Sequence, residues 1–180
     1  RRRAAVWRLL EAERGDAGPL APRVRAPDVP AVVPAMTPYE LTEADYRVTG
    51  VSLLGHPMAH LRAPLVPNGV RTARDVVRDG RDGETVAVAG LVICRQRPGT
   101  AKGFVFLTLE DETGTINVVV NPKRFERDAL LISTSPLVLV RGRLQVEGTP
   151  PHVVVNVRAE RFRRLEAPVG AEHARSHDFR

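Results

Sequence analysis

The stretch from Gly99 to Pro122, GTAKGFVFLTLEDETGTINVVVNP, sets Phe104, Phe106 and Thr108 at spacings of two, interleaved with Val105, Leu107 and Leu109. After an acidic turn, Ile116, Val118 and Val120 alternate with Thr115 and Asn117. Successive side chains of a strand point to opposite faces, so the pattern predicts a hairpin that is aliphatic inside and carries two phenylalanines, a threonine and an asparagine outside. Flat rings displayed in this way stack on unpaired bases, at about 1 to 3 kcal/mol per base, and an amide such as that of Asn117 pairs with a base edge. Just upstream, RQRPGTAK brings Arg95, Arg97 and Lys102 to the loop before the hairpin, where cations can meet phosphates. Arg95, Arg97, Lys102, Phe104, Phe106, Thr108 and Asn117 therefore make a candidate groove for single-stranded nucleic acid.

Such a platform needs a scaffold behind it. From Glu84 onward the apolar period is two, in segments 84–98, 103–111, 114–120, 136–148 and 151–162. Between the third and fourth, NPKRFERDALLI predicts a helix, with Asn121 as its cap, Pro122 in the first turn, and Phe125 and Ala129 on one face. Three strands, a helix and two strands is the order of an OB-fold, a five-stranded Greek-key barrel. Gly90 and Gly142 fall inside long strands and predict sharp bends there. The fold class expected is mainly β with some α: an OB barrel over 84–165, preceded by short helices and a Pro-rich linker.

Upstream, RRRAAVWRLL reads as a basic helix with Val6, Leu9 and Leu10 on one side, and residues 1–14 as the end of a helical region cut from a longer protein. Prolines 19, 22, 27, 30, 34 and 38 leave no apolar period, which predicts a linker over 15–36. Residues 37–80 form a helical lead-in too short to be a domain alone. Thr37, Pro38 and Glu40 open a helix that Gly50 stops, Pro57 starts a second behind His56 as cap, and Thr72 with Asp75 starts a third that ends at Gly80. Residues 166–180 are a tail ending in SHDFR.

A formal net charge of +6, from a basic complement that is nearly all arginine, suits a polyanionic partner. Cys94 is the only cysteine, which excludes an internal disulfide and a cysteine cluster for zinc and fits a reducing cytoplasm. The histidines are scattered without metal-ligand spacing, and no apolar run approaches the roughly 20 residues that cross a bilayer. No nucleophile with a base, phosphate-cradling glycine loop or carboxylate dyad is present, so no catalytic residue, metal or cofactor is expected in this chain. Glu110, Asp111 and Glu112 read as turn chemistry, and RFRR at 161–164 as a second phosphate patch or an edge guard.

DYRVTGVSLLGHPM, GLVICRQRPGTAKGFVFLTLEDETGTINVVV and the terminal SHDFR together resemble the C-terminal region of the bacterial error-prone DNA polymerases of the DnaE type (ImuC). The resemblance implies that the catalytic palm lies upstream of this segment and that the OB domain handles single-stranded template DNA. It also implies a role in replication past damage and in repair, with the remainder of the polymerase chain, the sliding clamp and mutasome accessory proteins as partners. Where that family carries an aromatic, this chain has Asn121, whose role here is capping. Two other readings stand beside this one. The face with Phe104 and Phe106 could dock a polymerase or mutasome protein, or the barrel could read RNA, since FVFLTLEDETGTINVVV also resembles the strand pair of anticodon-binding OB domains.

Overall fold

The computed structural model describes residues 4–9, 34–149, 152–166 and 177–178. Of the expected linker over 15–36, all but the last three positions lies outside the described residues. Residues 4–9 form α1, followed by α2 (Pro38–Thr49), α3 (Pro57–Leu65), β1 (Val70–Arg71) and α4 (Ala73–Asp79). The barrel then runs β2 (Thr85–Gln96), β3 (Val105–Asp111), β4 (Gly114–Val120), α5 (Pro122–Thr134), β5 (Leu137–Thr149) and β6 (His152–Arg164). A short β7 (His177–Asp178) lies beyond it.

The helices begin where local chemistry says they should. At α2 the Thr37 hydroxyl accepts from the Glu40 amide at 3.2 Å while the Glu40 carboxylate accepts from the Thr37 amide at 2.7 Å. Thr72 caps α4, Asn121 caps α5, and the His56 Nδ1 accepts from the Met58 amide at the start of α3.

Strand neighbours run β2-β3-β4-β6-β5, and β5 pairs back to β2 over Thr85–Leu91, which closes the barrel. The expected OB-fold is present, mainly β with short helices. Strand β2 serves two sides of the barrel, pairing with β5 up to Leu91 and with β3 from Leu91 to Gln96. At Gly90 a Cβ would stand 2.8 Å from the Glu110 carbonyl oxygen, and at Gly142 one would stand 2.1 Å from that of Arg158. The strand register shifts between Arg141 and Gly142, so this glycine marks a bend where two backbones touch. Val88, Leu107, Leu109, Val118, Val140 and Val157 fill the interior at 1% exposure or less. Ile132 of α5 joins them, with Phe125 and Leu131 packed alongside.

The helical lead-in is seated on the barrel. Met58 and Val70 join Ala89 and Leu91 of β2 and Leu137 of β5 in a second apolar cluster, and β1 pairs in parallel with β2, a strand the sequence pattern does not announce. The acidic turn completes the attachment. One oxygen of Asp111 accepts from the amides of Thr113 and Gly114, which is the expected turn chemistry. The other accepts from the Arg62 guanidinium at 3.0 Å and from the Ala73 amide that opens α4 at 2.8 Å. Arg62 also grips Glu112 through two nitrogens.

Candidate nucleic-acid interface

Phe104 and Phe106 are 37% and 38% exposed, while Val105, Leu107 and Leu109 between and beyond them are at 4% or less. On β4, Ile116, Val118 and Val120 are likewise buried, and Thr115 and Asn117 are exposed. Thr108 lies directly across from Asn117, and its hydroxyl donates to the Asn117 Oδ1 at 3.3 Å. That contact turns the amide nitrogen, a two-proton donor, away from the threonine and leaves it for a base acceptor.

The three cations separate. Arg97 is exposed and its guanidinium lies over the Phe125 ring, 4.7 Å from the centroid. This cation–π contact fixes the charge at the junction of the loop and α5. Lys102 is exposed at φ 49°, the only non-glycine residue with positive φ among the described residues. Glycine would hold that conformation with less strain. Arg95 is placed otherwise. Its Cα partner is Leu107, an inward-facing residue, so the side chain turns to the barrel end and donates to the carbonyls of Ile132 and Ser135 at the close of α5. It holds the plugging helix, and the structure does not bring it onto the platform with Phe104 and Phe106. The cause is the register shift between Val92 and Cys94, which resets which β2 residues face out.

Strand register also adds residues that the sequence pattern misses. Gln96 pairs with Phe106, Phe106 with Val119, and Val119 with Arg158 of β6, so these side chains form one row across the outer face. The neighbouring row runs Cys94, Thr108, Asn117, Asn156. Gln96 and Arg158 are exposed. Behind the loop, Pro122 lies against Gly103, and a cavity of about 510 Å³ at the start of α5 is lined by Lys123, Arg124 and Arg127 together with Glu160. Arg124 is paired with Asp128 at 3.1 Å, which leaves Lys123 and Arg127 as the cations at this end of α5. RFRR ends β6 with Arg161, Arg163 and Arg164 exposed and Phe162 packed against the core.

Residues 86–164 match the tRNA anti-codon family, described as an OB-fold nucleic acid binding domain. Over those residues the barrel is similar to that family, in keeping with the OB-fold of the strands. The chain is 44% identical over 178 residues, 99% of its length, to the error-prone DNA polymerase of Anaeromyxobacter sp. (strain K), and 40% identical over 94% of its length to that of Caulobacter vibrioides. It covers 15% and 16% of those two proteins, so it is similar nearly end to end to one segment of much larger polymerases, as the resemblance implied. Among solved structures, asparaginyl-tRNA synthetase from Pyrococcus horikoshii aligns with 55% of this chain and 23% of its own at 23% identity and a TM-score of 0.45. Within the OB domain and its lead-in, no described helix is long and apolar enough to cross a membrane, and no described cluster of His, Cys, Asp and Glu is arranged for a metal ion.

Proposed function

We propose that the outer face of β3 and β4 binds single-stranded template DNA for an error-prone DNA polymerase acting in translesion synthesis and DNA repair. The observation that supports this most is the pair of phenylalanines, each more than a third exposed on a hairpin whose opposite side is packed to 4% or less. Two neighbouring rings on one strand face offer a flat apolar surface of the kind that an unpaired base covers by stacking. Phe104 and Phe106 stack on bases, Asn117 held by Thr108 pairs with a base edge, and Arg97 and Lys102 meet phosphates. Arg95 acts indirectly, by fixing the end of α5. Stacking, amide pairing and charge need no cofactor. The polymerase body supplies the chemistry, with the sliding clamp and mutasome proteins as its further partners in the cytoplasm.

Titration of labelled oligo-dT with this chain at two salt concentrations, with oligo-U in parallel, tests the reading. Binding should weaken with salt, with a slope of roughly 0.7 for each phosphate neutralised. Absence of salt-dependent binding would transfer the face to a protein partner. A tenfold or greater preference for oligo-U would make it an RNA platform.

A further inference from the structure

The last turn of α2 and the connection to α3 show a second apolar surface, away from the phenylalanine pair. Val48, Val51, Leu53 and Leu54 are 82%, 66%, 104% and 54% exposed within seven consecutive positions. A soluble chain seldom displays such a run without a partner for it. The loop is also built to stay open. Gly50 closes α2 at φ 74°, where its amide donates to the Tyr46 carbonyl, and the Thr49 hydroxyl donates to the Val51 carbonyl at 2.8 Å. The Ser52 hydroxyl donates to Asp45 at 2.9 Å and accepts from the Leu54 amide at 3.0 Å. A core lies within reach, because Pro57 and Met58 turn inward a few residues later. Val51, Leu53 and Leu54 are held outward by a hydrogen-bonded frame instead, beside Val48 on the last turn of α2.

We infer that Val48, Val51, Leu53 and Leu54 dock the body of the polymerase to which this chain belongs. The inference rests on reading the chain as part of a larger polymerase, and the 15% share of its relatives' length leaves most of such a polypeptide to supply the apolar counterpart. The loop's place in the fold gives the contact a purpose. It leads directly into His56, whose Nε2 stands 3.6 Å from the Glu110 carboxylate. Glu110 continues the outward series Phe104, Phe106, Thr108 along β3, so the docking loop borders the far end of the base platform. A body held there receives a strand that leaves the platform past Thr108.

Hydrogen exchange of the backbone amides of residues 50–56, compared between the intact polymerase and this chain alone, tests the docking. Exchange should be at least tenfold slower in the intact enzyme, and the Leu53→Ser, Leu54→Ser double variant of that enzyme should lose the protection. Equal exchange in the two forms, fast or slow, overturns the inference. So does a dimer of this chain in sedimentation that the double variant abolishes, since a second copy would then be the occupant. Oligo-dT binding by the isolated chain should be unchanged by the double variant. If oligo-dT fails to bind while the protection holds, the template reading falls and the docking surface stands.

Discussion

Replacing Phe106 separates what the ring does for the barrel from what it does for a ligand. Its 38% exposure means that roughly three-fifths of the side chain is covered by its neighbours. Full burial of a phenylalanine stabilises by about 1.5 to 3 kcal/mol, so Phe106→Ala should cost the fold about 1 to 2 kcal/mol. A core phenylalanine would cost about 3 to 5. If the exposed part stacks on a base, the same change should weaken oligo-dT binding by about 1 to 3 kcal/mol, or about 5- to 150-fold in Kd. Chemical denaturation reads the first quantity and fluorescence anisotropy the second. Phe106→Leu should recover most of the stability, because it restores apolar area, but little of the affinity, because it lacks a π face. Phe106→Tyr should recover both. Leucine binding within about twofold of the parent would refute the stacking argument, since bulk alone would then suffice.

The cations should divide in the same experiment: Arg97→Ala with Lys102→Ala should flatten the salt slope by about 1.4, the worth of two phosphates. Arg95→Ala should leave the slope unchanged and lower stability by about 1 to 3 kcal/mol in denaturation, because carbonyls at the end of α5 lose their donor. Arg62→Ala should destabilise by about 3 kcal/mol in the same assay, since it leaves the buried Asp111 carboxylate without its cation; a loss under about 1 kcal/mol would mean that the backbone amides around Asp111 suffice to hold its charge. Burial pushes the His56 imidazole below its usual value of 6.5, against the pull of Glu110, Glu112 and Asp111. The unfolded chain therefore takes up the proton first, so this contribution to stability is complete above about pH 6.5 and declines as pH falls below it. His56→Asn supplies a side-chain oxygen in place of Nδ1 as the cap acceptor and should remove that part of the acid sensitivity in melting curves between pH 7 and 5.

The platform is legible in the sequence because alternation is a local property. Val105, Leu107 and Leu109 declare one face of β3, and Phe104, Phe106 and Thr108 are left for the other whatever the strand pairs with. The caps are legible for the same reason: Thr37 with Glu40, Asn121, and His56 before Pro57 satisfy amides two or three residues away. Asp111 is half legible. Its turn bonds to Thr113 and Gly114 are written within four residues, whereas its hold on Arg62 spans a sequence distance of 49.

What the sequence determined by itself is the order of the five barrel strands and their helix, the phase of the hairpin and the start of the capped helices, because these follow from steric and hydrogen-bonding preferences among near neighbours. Tertiary structure decided the register. The shift between Val92 and Cys94 sent Arg95 to the end of α5 and set Gln96 beside Phe106, and the parallel pairing of β4 with β6 brought Asn156 and Arg158 into the platform's rows. Register is chosen by the packing of the whole closed barrel, in which each strand must fit two neighbours and the core at once. No window of a few residues contains that information.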